Sequence, residues 1–169
     1  MKARYLYIKN GDVVSQIEYL ESLQGIIPDG GPNAFLATFL NFIGNKPALI
    51  MSVGNKNAEI KSKNIKAKSF NKLFPLGFVG KIFAHIYIFF FSLNPTILFK
   101  PNRIICGTTG ALLWMSFLVS FAYNIPYIFS MHNRVITSKT SRIKKMLTII
   151  DIYIIKQAKA IICHGPYLK

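Results

Sequence analysis

The chain has 169 residues, 51% of them apolar, and a net charge of +15 from 21 Lys and Arg against six Asp and Glu. That length suits one domain able to bury roughly 70% of the surface its unfolded chain exposes, and the apolar content excludes a disordered segment. A dense α/β core and a small membrane protein both remain open, and the excess of basic side chains either attracts anionic lipid, nucleic acid or a phosphorylated ligand, or else reflects biased codon usage in a sequence rich in Lys, Ile, Asn and Phe.

The charge is uneven. Residues 1–55 hold four basic and four acidic side chains and cancel, residues 56–103 add +8 and residues 104–169 add +7. Residues 1–10 lack the charged start and long apolar stretch of a secretory signal, so the cytoplasmic side of a membrane is the expected location. Cys106 and Cys163 each end an apolar run, and two cysteines in such a chain need not pair.

Residues 4–8 (RYLYI) read as a first strand ending in Asn10-Gly11. Residues 12–29 are mixed and close in the loop signal Asp29-Gly30-Gly31-Pro32. From Asn33 the run FLATFLNFIG has helical spacing, with Pro32 at its start and Gly44 at its end. Residues 47–53 (PALIMSV) form a second strand before the turn Gly54-Asn55. Lys and Asn alternate with apolar residues over 60–70, as in an edge strand or hairpin arm. Residues 76–99 form a long apolar stretch with Lys81, His85 and Asn94-Pro95, and read as a buried helix that stops or kinks near Pro95.

Residues 101–133 are the most informative. RIIC over 103–106 reads as a strand, Gly107-Thr108-Thr109-Gly110 as a turn, and ALLWMSFLVSFAY over 111–123 as a helix. Asn124-Ile125-Pro126 closes that helix, and YIFSM over 127–131 is a further strand leading into His132-Asn133. Strand, helix and strand within about thirty residues make a βαβ unit with parallel strands. A basic loop follows over 134–142, then a helix over 143–159 and a last strand over 160–163. Six or seven strands with three or four helices imply a doubly wound, mostly parallel α/β sheet, which is Rossmann-like. The competing architecture is an integral protein with two spans, because residues 86–99 and 104–131 carry no charge. Gly107, Gly110, Asn124 and Pro126 argue against it, since they cut the second tract into pieces too short to cross a bilayer.

In that order the segments resemble the amino-terminal domain of family-4 glycosyltransferases of the GT-B fold. The Asp29-Gly30-Gly31-Pro32 loop between the first strand and a helix resembles the family's opening. Lys100-Pro101-Asn102-Arg103-Ile104-Ile105-Cys106 is similar to its strand entry, with Asn102 where an Asp is usual. Ile125-Pro126 through His132-Asn133 is similar to its "hPhhhxxHD" segment, with Asn133 replacing the Asp. Residues 158–164 with Tyr167-Leu168-Lys169 resemble its "ADxhhxxSxxhK" segment, with His164 or Gly165 at the serine position. The resemblance covers the whole chain.

It implies one Rossmann-like domain over residues 1–169, forming the acceptor-binding half of a GT-B enzyme. A donor-binding half would come from another domain or subunit, and this chain alone would be inactive. The implied reaction moves a sugar from a nucleotide-sugar donor to a lipid-linked or polysaccharide acceptor in envelope glycan synthesis. The donor is a substrate, and neither metal nor cofactor is expected. The alternative function is a small integral membrane protein with two apolar spans and no catalytic role.

The expected catalytic residue is His132, at the carboxyl end of a parallel strand, where ligands of open α/β sheets bind and where imidazole suits proton transfer near neutral pH. Gly30 and Gly31 lie at a helix start, which accepts phosphate or a sugar hydroxyl, or else they form an ordinary turn. Gly107 and Thr108 also sit at a strand's carboxyl end, where they contact acceptor unless Thr109 caps the next helix. Asn133 and His164 complete the substrate-binding set, His164 facing either the cleft or the core, while His85 reads as packing. Cys106, Cys163 and His164 lack the paired spacing of a zinc site. No GxGxxG fingerprint supports a dinucleotide, and no motif supports nucleic acid. Lys139, Arg142, Lys144 and Lys145, with the basic group at 61–72, are expected to meet an anionic membrane surface, placing the protein peripherally at the inner face of the plasma membrane.

Overall fold

A computed structural model of the protein describes residues 3–23, 31–54, 56–62, 64–71, 77–131 and 142–163. Among these residues the elements run β1 (Tyr5–Asn10), α1 (Val13–Ser22), α2 (Gly31–Ile43), β2 (Ala48–Gly54), β3 (Ala58–Ser62), β4 (Ile65–Asn71), α3 (Gly77–Phe99), β5 (Arg103–Cys106), α4 (Ala111–Tyr123), β6 (Tyr127–Met131), α5 (Arg142–Lys156) and β7 (Ala160–Cys163). The strands form one sheet in the order β3-β4-β2-β1-β5-β6-β7. Every pairing is parallel except β3 with β4. Numbered among themselves, the six parallel strands follow the order 3-2-1-4-5-6, which is the Rossmann order. The expected doubly wound α/β fold is therefore present.

Period-two alternation assigns the faces. Tyr5, Tyr7, Ile50 and Ala67 project to one side, where Val13, Val14 and Ile17 of α1 and Leu36, Phe39 and Ile43 of α2 cover them. Leu6, Ile8, Leu49, Met51, Ile104 and Cys106 project to the other, under α3, α4 and α5. Leu6, Leu49 and Ile104 are fully buried, and each such side chain contributes about 1.5–3 kcal/mol of transfer free energy.

Three local expectations need correction. Residues 12–29 contain a helix, α1, capped by Asp12, whose side chain accepts from Val14 N and Ser15 N. Its apolar side chains Val13, Val14 and Ile17 recur at helical spacing. The hairpin reading of 60–70 holds, with β3 and β4 as its antiparallel arms, but only β3 is an edge strand, since β4 is interior, paired with both β3 and β2. The helix over 77–99 neither stops nor is buried all round. It continues through Pro95 to Phe99, because Pro95 lies close enough to the end that only one late backbone hydrogen bond is forfeited.

Only one side of α3 is inside. Ala84, Ile88, Ser92 and Thr96, spaced four apart, are buried, with Thr96 Oγ1 donating to Ser92 O at 2.8 Å. The opposite side is exposed and equally apolar, so 22% of the window Ile82–Phe99 is buried, and this is the one helix among the described residues long and apolar enough to cross a membrane. The tract over 104–131 divides into β5, α4 and β6 as the punctuation implied. Asn124 takes a left-handed conformation (φ 51°) at the end of α4, its N–H bonding back to the last turn, and short polar side chains tolerate that geometry.

Candidate functional site

Parallel strands whose following helices lie on opposite faces leave a crevice between their carboxyl ends. Here those strands are β1 and β5. Beyond β1, Gly11 (φ 82°) turns the chain toward α1 on one face, and this positive φ is one that glycine adopts without strain. Beyond β5, Gly107 donates its N–H to Ile8 O at 2.7 Å, holding the two strands together to their ends before the chain leaves for α4 on the other face. Gly107 is buried and Thr108 half-buried. The Thr108 carbonyl accepts from Cys106 Sγ at 3.4 Å.

The α1 side of the crevice floor is polar. Lys9, Ser52 and Ser69 occupy neighbouring register positions on adjacent strands, and all three are buried. Val13 N donates to Ser52 Oγ at 2.9 Å, and Ser52 Oγ donates to Ser69 Oγ at 3.4 Å. Lys9 Nζ donates to Gln16 Oε1. Burial pushes the Lys9 ammonium down to about 8, because a dry surrounding disfavours the charged form. The edge thus holds a cationic donor that titrates near physiological pH. At the end of β2, a Cβ on Gly54 would come within 2.4 Å of Ser69 Oγ and 3.0 Å of Asp12 Cγ, so only glycine lets these segments pack as they do.

On the α4 side, Gly110 (φ 78°) precedes the helix with no side-chain cap, so Thr109 does not fill that role. Gly110 N donates to Asp151 Oδ1 at 3.2 Å and Trp114 Nε1 donates to the same oxygen at 2.7 Å. His85 lies against Trp114, ring centroids 5.9 Å apart. Burial raises the Asp151 carboxyl above its ordinary value, while the Trp114 and Gly110 hydrogen bonds and the nearby His85 act against the rise. Burial pushes the Cys106 thiol up to about 12, which leaves it a core thiol rather than a nucleophile.

Of the expected site residues, Gly107 and Thr108 stand at this edge, and Gly31 opens α2. Gly30, His132, Asn133, His164 and Lys139 lie outside the described residues. Arg142, Lys144 and Lys145 belong to the beginning of α5. Sequence reasoning missed Lys9, Trp114 and Asp151. Two of them had a signal: Lys9 continues the inward row Tyr5, Tyr7, and Asp151 is a lone acid within IIDIYII.

Two cavities, about 520 and 370 Å³, lie at the opposite, amino-terminal edge, lined by turn residues such as Asn124 and Pro126 or Asn64 and Pro47. Their position argues against them as the ligand site, since ligands of such sheets bind at the carboxyl ends. Among the described residues no group of three or more His, Cys, Asp or Glu side chains is arranged to hold a metal ion. No family model, curated protein or solved structure matches this chain.

Proposed function

We propose that the chain is the acceptor-binding half of a glycosyltransferase that moves a sugar from a nucleotide-sugar donor to a lipid-linked or polysaccharide acceptor in envelope glycan assembly. The observation that carries this reading is the Rossmann strand order, which opens a crevice between the carboxyl ends of β1 and β5, with Gly107 and Thr108 on its β5 side. The segments that resemble the family-4 enzymes agree with it, since Asn102, Pro126 and Ala158 each stand at the entry to β5, β6 or β7. Asn102, where the family carries Asp, accepts from Arg4 N at 2.8 Å through Oδ1, so its side chain has a bond to hold at the start of β1.

In this reading the acceptor hydroxyl attacks the anomeric carbon of the donor, the bond from that carbon to the diphosphate breaks, and the nucleotide leaves with the electron pair. His132, which follows Met131 of β6 in sequence, takes the hydroxyl proton. Gly30, Gly31, Gly107, Thr108, Asn133 and His164 contact the acceptor and the approaching sugar phosphate. A donor-binding domain or subunit supplies the nucleotide site, and Lys139, Arg142, Lys144 and Lys145 hold the half-enzyme at the inner membrane face.

Combining the chain with its donor-binding partner, membranes and labelled nucleotide sugars tests this. The expected result is label in the lipid or glycan fraction, and a 10²–10⁴-fold loss on His132→Ala, the usual contribution of a positioned acid–base group. Transfer that does not require this chain contradicts the proposal. The second reading, an integral protein without catalysis, has the Ile82–Phe99 window in its favour. Alkaline carbonate separates the two, releasing a peripheral half-enzyme and leaving an integral protein behind.

A further inference from the structure

The outward sides of α3, α4 and α5 form one layer, with α3 packed on α4 and α4 on α5. On a soluble domain such sides carry charge. Here Phe83 and Phe90 are 65% and 61% exposed, Phe121 79%, and Leu98, Ile149 and Tyr153 are equally open. No Asp, Glu, Lys or Arg occurs from Ile82 to Phe99 or from Ala111 to Tyr123. Contiguous apolar surface across three helices marks an interaction site.

The distribution of charge selects the occupant. Of the five acidic residues among the described positions, Asp12, Glu18 and Glu21 belong to α1 or its cap on the far face, Glu59 lies on the β3 edge, and Asp151 is buried. The ends of the apolar layer are basic. Lys100 follows α3, and Lys156 and Lys159 end and follow α5, all three exposed, while α5 begins with Arg142, Lys144 and Lys145. A second copy of this chain would bring two +15 bodies together through basic margins. A bilayer with anionic headgroups complements both the apolar centre and those margins.

We infer that the outer face of α3, α4 and α5 is a docking surface for an anionic lipid bilayer, with the helices lying in the interface. The helices do not cross it. β4 and β5, at the two ends of α3, belong to the same sheet and pair with β2 and β1, so threading α3 through hydrocarbon would pull the sheet apart. This deepens the membrane side of the preceding proposal and does not depend on sugar transfer. It assigns the apolar contact to the helical layer and leaves the basic residues to orient it.

Flotation of the full chain with vesicles reads this surface alone. The chain is expected to float with phosphatidylglycerol vesicles at least tenfold better than with phosphatidylcholine, and to be released by alkaline carbonate. Phe90→Glu with Phe121→Glu lowers vesicle binding at least tenfold, whereas Tyr19→Glu, on exposed α1, leaves it unchanged. Phe90→Ser with Phe121→Ser gives the same direction without added charge, and an unchanged circular dichroism spectrum shows that each variant is folded. Equal flotation of the Phe90/Phe121 variants and the parent overturns the inference, as does a dimer that these substitutions dissociate without any vesicle binding. A chain that, combined with its donor-binding partner, transfers sugar to a soluble acceptor but never floats overturns the docking surface and leaves the chemistry standing. One that floats but transfers nothing in the presence of that partner does the reverse.

Discussion

Trp114 Nε1 donates to Asp151 Oδ1 across 2.7 Å, and Gly110 N reaches the same oxygen at 3.2 Å. One carboxylate in α5 therefore fixes both the turn after β5 and the first turn of α4, which together form the β5 wall of the crevice. The arrangement carries a cost, because burial disfavours the charged carboxyl, and it is costly to break, because two donors depend on it.

Asp151→Leu is expected to lose about 1–3 kcal/mol, the cost of leaving buried donors unpaired. Asp151→Asn keeps an acceptor oxygen without the charge. Because burial raises the folded-state pKa of Asp151, its contribution is fully present below the unfolded carboxylate pKa and is lost as pH rises through the folded value. Urea unfolding should therefore find Asp151→Asn gaining on the parent between pH 3 and pH 7.

Lys9 gives the opposite slope. Its pKa is pushed down from 10.5 to about 8, so the unfolded chain binds the extra proton between those values and the Lys9 contribution to stability rises with pH across that window. Lys9→Met removes the buried ammonium and is expected to be the more stable protein at pH 7, by up to about 3 kcal/mol. That advantage should shrink from pH 8 to 10.5. Taking the difference between the two proteins cancels the alkaline losses from Tyr7 and Cys106, both raised to about 12 by burial.

Gly54→Ala places a methyl group 2.4 Å from Ser69 Oγ and is expected to cost about 1–3 kcal/mol, as overpacking does. Adding Ser69→Ala removes the opposing oxygen, so the double variant should unfold at a higher urea concentration than Gly54→Ala alone. Additive losses would show that Asp12, rather than Ser69, sets the close approach.

Much of the fold was legible where punctuation and period coincide. Gly107, Gly110, Asn124 and Pro126 delimit β5, α4 and β6 as their backbone preferences dictate. α1 was passed over although Asp12 and the spacing of Val13, Val14 and Ile17 announce it, because polar residues dilute the pattern over 12–29. The exposure of the outer side of α3 is not readable from periodicity. When residues 82–99 are apolar all round, only packing decides which side meets the sheet. At the site, the glycines mark strand ends, but the role of Lys9 emerges only once α1 covers its face, since a strand charge reads equally well as solvated. His132, Asn133, Gly30 and His164 lie outside the described residues.

The central claim is that acceptor binds at the carboxyl edge between β1 and β5. Adding a micelle-solubilised polyprenyl-phosphate-linked sugar to isotopically labelled chain and following the backbone amide resonances tests it directly. The account predicts shifts at Gly11, Gly107 and Thr108, with Ser62 and Gln157 at the amino edge unmoved. Shifts confined to the amino edge, or none anywhere at saturating acceptor, contradict it.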